Sequence, residues 1–496
     1  MATERINIEI MEKNTRIAII GGGPAGISAA MYLEKKGYTN YVIYERLNRV
    51  GGKTFSPVFN GKHAEMGAIM GVPSYYAVHD VEVFGGVTHD GPKLNRNYKY
   101  PDGRPDYRWD TADAQAHPMK FFLKHPKDAL HLKKLAKQIK TFGELLETKY
   151  KGYDICGHRG VAEGMYEGYA VTPAREPVKG VNPNLKDLAL PFKTFCEKNG
   201  VPLVQEVWIQ PFTSFGYGYF DEIPAAYVLK YLDFQTMMNF VKVNLWTWKD
   251  GTQSIYEAAN RKLMHPALLN SEVTKVVRGE KVTVTVNGKD EVFDKIIITC
   301  PLQVATEKNP LDNPFTKSLD SWLDVNEEER ELFSKIDYER YDTQALGVEK
   351  DKYPDVSYYL VDNMVPEKLG HVMVYYRRWE GDKDQPIISY ILRHHRTANG
   401  GKELPYEDCK KIVYEDMAKV GCPVEKIDGK YNVMCEFQTY YFPHVYSEDY
   451  AAGWYDKVEA MQGKNNTYYA GEIMSFGDMD ETVEYSHDLV ERFFAD

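Results

Sequence analysis

The chain has 496 residues, 43% hydrophobic and 27% charged. That balance suits a globular protein of about two to three domains and not a disordered one. Its 61 basic and 72 acidic residues leave a net charge of −11, and no basic run carries interleaved aromatics, which argues against a nucleic-acid partner. Met1 to Thr15 has charges throughout and no apolar stretch of a secretion signal, and no segment is apolar enough to span a membrane. None of the six cysteines has C-x-x-C spacing, so neither a zinc site nor a dithiol centre is expected. Free thiols in a reducing, cytoplasmic setting are the simplest account.

In chain order, Arg16 to Ile20 is a β-branched run ending in glycines and reads as a buried parallel strand. Ile27 to Lys36 reads as a helix stopped by Gly37, and Tyr41 to Tyr44 as the next strand. Together they make a β-α-β unit. Gln115 to Tyr150 reads as helical, Gly160 to Pro183 as a long loop or insertion, and Asn184 to Lys198 as helical again. Val282 to Val286 and Val292 to Thr299 read as strands, with Asn287-Gly288 as a hairpin signal. Helices are expected over Asn326 to Ile336, Tyr406 to Val420 and Glu481 to Phe494. Strands are expected over Val372 to Tyr376, Ile387 to Leu392 and Thr467 to Ala470.

Gly21-Gly22-Gly23-Pro24-Ala25-Gly26 fits G-x-G-x-x-G between a strand and a helix. Gly21 permits the tight turn, Gly23 a close approach to a pyrophosphate, and Gly26 close helix-strand packing. The helix start offers N–H groups to phosphates. Glu45 ends the second strand, 19 residues after Gly26, where an acid can accept from ribose hydroxyls. These features imply a dinucleotide without separating FAD from NAD. Two further segments do. Arg46 to Lys53, with Gly51-Gly52, is similar to the R-x-G-G segment of flavin amine oxidases and their relatives. Ala470-Gly471-Glu472, followed by Gly477-Asp478-Met479-Asp480 and the last helix, resembles the segment of that superfamily that meets the ribityl chain and the flavin. As a plain strand-turn-helix, the same residues would use Asp478 or Asp480 as N-cap.

Longer stretches resemble one group, the FAD-dependent polyunsaturated fatty acid isomerases that turn linoleate into a conjugated diene. They include Glu65 to Tyr75, Pro211 to Gly218, Ala225 to Phe234, Leu245 to Trp248 and Tyr469 to Gly477. The resemblance implies an α/β fold: a discontinuous Rossmann-type FAD-binding domain (14–90, 250–305 and 455–496), a mostly helical cap (91–200), and a mixed sheet-helix substrate domain (201–249 and 306–454). It implies a free polyunsaturated fatty acid as substrate, and a hydride that leaves one carbon for the flavin and returns to another. No side chain is then needed as an acid or base. It assigns Arg96, backed by Phe240, to the substrate carboxylate, and Phe212, Phe215, Tyr217, Trp246, Trp248 and Met70 to the acyl pocket. Met66, Gly67 and Val273 join the FAD contacts already named. Transient contact with a membrane surface and the oligomeric state stay open. Segments near 102–118 and 156–183 look like insertions relative to bacterial isomerases. The main alternative is a flavin amine oxidase, or an FAD-dependent oxidase or desaturase of the same fold, with Trp454-Tyr455 as an amine-caging pair. A non-catalytic lipid-binding flavoprotein is a further one.

Overall fold

A strand buried on both faces needs β-branched residues throughout, and Ile17–Ile20 is such a strand, with every residue buried. The computed structural model describes residues 11–106, 108–111, 114, 116–150, 183–307, 309–311 and 316–494. In it, Ile17–Ile20 leads through helix Pro24–Lys35 to strand Tyr41–Tyr44. The two strands pair in parallel, Ile17 opposite Tyr41. Lys295–Ile298 lies on the other side of the first strand, and Thr467–Tyr469 lies outside that. The sheet thus takes strands from both ends of the chain. The last helix, Met479–Phe493, lies on helix Pro24–Lys35. There Ser486 Oγ donates to the Ala25 carbonyl at 3.1 Å and Tyr32 stacks on His487 at 3.8 Å.

One expected strand is corrected. Val292 to Thr299 is not continuous, because Val292 and Phe293 close the hairpin Val282–Val286/Lys289–Phe293. Asp294 then exchanges main-chain and side-chain hydrogen bonds with Arg16 and turns the chain into the parallel sheet. The hairpin turn itself is as expected, with Asn287 and Gly288 both at positive φ. The expected helix from Gln115 is also broken: His125, held out of the helical region before Pro126 (φ −131°, ψ 63°), separates Pro118–Lys124 from Pro126–Glu147. Leu185–Leu188 and Phe192–Lys198 are the further helices of the segment expected to be a cap. The segment read as a loop, Gly160 to Pro183, lies outside the described residues up to position 182.

The second sheet has six strands, ordered Val433–His444, Asp337–Leu346, Ile387–Leu392, Val374–Tyr376, Ser357–Tyr359 and Arg96–Tyr98. Its two longest strands, Val433–His444 at one edge and Asp337–Leu346 beside it, were not expected from sequence. Asp337–Leu346 (DYERYDTQAL) carries no alternation, yet nine of its ten residues are buried. Several of its buried polar groups are matched, while both carboxylate oxygens of buried Glu339 lack a hydrogen-bond partner and burial pushes that carboxyl well above its usual range. Asp342 pairs with Arg393 and Arg340 with Glu403, Thr343 Oγ1 donates to the Met66 carbonyl, and the Gln344 amide donates to Tyr406 Oη. No helix among the described residues is long and apolar enough to cross a membrane. The five described cysteines are free.

Candidate active site

A single long cavity runs from the glycine turn of the parallel sheet to the face of the six-stranded sheet. At the first end the backbone leaves room for an anion. Gly21 has φ +116, a conformation that favours glycine, and a Cβ on Gly26 would lie 1.9 Å from the Gly21 carbonyl oxygen. Gly23 is different, since a Cβ there would meet only Gly52 Cα, at 3.8 Å. No side chain caps the helix that begins at Pro24, so its first N–H groups are left for a ligand. Gly21, Gly23, Pro24, Ala25, Arg46, Gly52 and Lys53 border the cavity here. Arg49, not singled out from sequence, joins them while bonding the Gly52 carbonyl at 2.8 Å.

Glu45 borders the cavity with both carboxylate oxygens in use. Oε2 accepts from Gly22 N at 2.7 Å and Oε1 from Leu47 N at 2.8 Å. Each oxygen keeps a lone pair, so the acid can hold the turn and still accept from a ribose. Met66, Gly67, Val273, Gly471, Glu472 and Met479 line the next stretch. A Cβ on Gly67 would fall 1.7 Å from the Lys53 carbonyl oxygen, so the wall closes tightly there. Lys53 Nζ pairs with Glu472 at 2.6 Å and joins the two ends of the chain at the cavity. Gly26, Gly51 and Asp480 lie behind this wall: Gly51 packs on Thr54, and Asp480 Oδ1 accepts from Val78 N at 2.9 Å. The cradle of glycines, unshared N–H groups, basic residues and a ribose acid fits an adenine dinucleotide.

The other end is aromatic. Ile69, Met70, Tyr75, Phe215, Tyr217 and Tyr231 form part of it, with Tyr341, Phe437 and Tyr441 from the six-stranded sheet. The last three sit on strands whose pattern hides them, which is why sequence reasoning missed them. Burial holds the phenols of Tyr217, Tyr231, Tyr341 and Tyr441 well above the ordinary tyrosine range. At the opposite end, beside Gly21, burial pushes the Cys300 thiol up to about 12. These groups therefore stay neutral. Phe212 is set back, packed among Tyr217, Phe220 and Phe442. Trp246 and Trp248 are also set back. Trp246 stacks on His89 at 3.9 Å, and Trp248 Nε1 donates to Glu82. His79, Glu82 and His89 bring donor atoms within 4.8 Å of one another, a grouping that cysteine spacing gave no sign of. Trp454 and Tyr455 do not form an amine cage here, because both are buried and neither borders the cavity; their polar atoms bond Leu332 O, Tyr227 Oη and Ile473 O.

Arg96 begins the edge strand and is buried. Its Nη1 donates to Gln210 Oε1 (3.1 Å) and Phe240 O (2.9 Å), and its Nη2 to Asp110 O (2.9 Å) and Val241 O (3.0 Å). The fork expected for a carboxylate is thus held by four protein acceptors. One buried donor, Nε, has no partner. Phe240 meets Arg96 through its carbonyl. Its ring lies 6.4 Å from Phe215 and 6.1 Å from Tyr231, both on the cavity wall.

Asp478 is the N-cap of the last helix, accepting from Glu481 N at 2.8 Å, and it borders the cavity. Burial raises its carboxyl to about 7, against the opposing pull of Tyr75 and Lys230. Between about pH 4 and 7 the folded protein then keeps a proton that the unfolded chain has lost, so stability falls as pH rises through that window. Asp478→Asn keeps the cap. It should flatten that slope and make the protein more stable than wild type by about 1 kcal/mol or more at pH 8. Urea unfolding across pH 4–8 tests this, and parallel profiles for the two proteins would refute it.

Comparison with known proteins agrees with the cradle. Residues 24–484 match the flavin containing amine oxidoreductase family. A CLA-producing fatty acid isomerase from P. acnes is 43% identical, with a TM-score of 0.80 over 98% of this chain and 100% of that one. The polyenoic fatty acid isomerase of Ptilota filicina is 25% identical over 303 residues, so this chain spans 57% of that relative's length. Putrescine oxidase bound to putrescine shares the fold at 14% identity, with a TM-score of 0.63 over 97% of this chain and 99% of that one. The chain belongs to the flavin containing amine oxidoreductase family and is an FAD-dependent enzyme.

Proposed function

We propose that the protein isomerises a polyunsaturated fatty acid of the linoleate type to a conjugated diene. One observation carries the reading: the end-to-end likeness, at 43% identity, to a fatty acid isomerase. When bound, FAD supplies a two-electron acceptor able to take a hydride from carbon and give it back. The residues account for the rest. Ile69, Met70, Phe215, Tyr217, Tyr231 and Tyr441 offer an acyl chain apolar contact, worth about 0.8 kcal/mol per buried CH₂. The same wall excludes water, and its neutral phenols give an electron-poor acyl chain no phenolate nucleophile. Arg96 Nε and the Phe240 ring, one layer behind Phe215, are proposed to hold the carboxylate end and so set which carbon reaches the flavin.

Linoleate carrying deuterium on the methylene between its double bonds tests the reaction. The expected product keeps the label in the same molecule, on a different carbon. Loss of the label to solvent or to peroxide would refute the isomerase reading and favour an oxidase.

A further inference from the structure

The cap carries a surface at odds with the rest of the molecule. In a chain of net charge −11, residues 118–140 hold seven lysines and one acid, Asp128. All seven lysines are exposed. Three of the most exposed large apolar side chains lie among them: Met119 at 81%, Leu123 at 85% and Leu130 at 62%. Helix Pro118–Lys124 (PMKFFLK) buries none of its residues. Helix Pro126–Glu147 turns Leu135 and Phe142 into the core, and its outer face carries Lys127, Leu130, Lys134 and Lys137 at helical spacing. A soluble surface gains nothing from exposed leucines, and lysines alone would be enough for solubility. Apolar side chains set among lysines are what a helix needs to lie in the interface of an anionic bilayer.

The position matters as much as the composition. The long cap helix is joined to helix Gln205–Thr213 by His131–Glu206 at 2.7 Å and by the ring contact of Phe142 with Trp208 at 5.1 Å. That second helix carries Gln210, the partner of Arg96, and leads to Phe215 on the cavity wall. The basic face is thus one helix away from the end of the cavity proposed to take the fatty acid.

We propose that this face docks the enzyme on an anionic phospholipid surface, from which it draws its substrate. The partner follows from charge and amphipathic chemistry, and the biological purpose rests on the fatty acid reading above. Co-sedimentation of the full-length holoenzyme with vesicles tests it. Vesicles of neutral phosphatidylcholine would be compared with vesicles containing phosphatidylglycerol. Wild type is expected to bind the anionic vesicles, release them in high salt, and bind neutral ones weakly. Lys120→Glu/Lys124→Glu/Lys127→Glu should weaken binding by about a hundredfold, and Leu123→Asp by about tenfold. Both variants should keep full flavin and unchanged turnover of fatty acid delivered as a soluble complex. Equal binding to neutral and anionic vesicles, or unaltered binding by both variants, would overturn the proposal. So would absence of binding by wild type. Binding is read without turnover, so a failed isomerase assay leaves this result standing.

Discussion

Gly23→Val should give a folded but colourless protein. The position tolerates a side chain as far as the protein is concerned, since its φ of −76° and ψ of −174° are ordinary extended values. A Cβ there meets nothing closer than Gly52 Cα at 3.8 Å. What a valine would fill is the cavity, at the turn where a pyrophosphate must approach the backbone. Overpacking of this kind costs about 1–3 kcal/mol, up to roughly a hundredfold in affinity. Gly26→Val is the contrasting variant. Its Cβ runs into the Gly21 carbonyl oxygen at 1.9 Å, so it should lose the fold as well as the flavin. Circular dichroism with flavin absorbance separates the two. A yellow Gly23→Val protein with normal flavin content would show that the glycine turn does not face the cofactor.

Arg96→Met should have two effects. It removes a donor from four buried acceptors, Gln210 Oε1 and the carbonyls of Phe240, Asp110 and Val241. Buried acceptors left unpaired cost about 1–3 kcal/mol each before relaxation, so the thermal midpoint should fall by several degrees. The second effect concerns substrate. If Arg96 Nε receives the carboxylate, KM for the free acid should rise at least about tenfold, the scale of a hydrogen bond to a charged group. KM for the methyl ester should change little, and the free acid should give a broader set of double-bond positions. Equal changes for acid and ester would leave Arg96 as a pin between the edge strand and helix Phe234–Val241, with no part in recognition.

The parallel sheet and its glycine turn were legible in the sequence because every local feature agreed: a β-branched run, glycines where φ or packing requires them, and an acid at the end of the second strand. The flavin segments at both ends could be read for the same reason, as backbone approach leaves a glycine signature at Gly52 and Gly471. The aromatic end was less legible. Tyr341 lies on a strand buried on both faces, where paired charges such as Asp342–Arg393 erase the period-two pattern, and Tyr441 lies in the run of mostly buried residues at the end of the neighbouring edge strand. Phe212, Trp246 and Trp248 show the converse. Their segments were singled out by likeness, but the side chains themselves pack behind the cavity wall. Arg96 was found through likeness alone, and nothing in the sequence shows that its fork is already occupied, because its partners come from positions 110, 210, 240 and 241.

The central claim is a redox-neutral reaction on a fatty acid, and anaerobic turnover of linoleate tests it most directly. The account predicts many conjugated product molecules per flavin in the absence of oxygen, each with the mass of the substrate and the ultraviolet absorbance of a conjugated diene, and no peroxide. A reaction that stops at about one product per flavin with loss of the yellow colour, and resumes with peroxide when air is admitted, would contradict it.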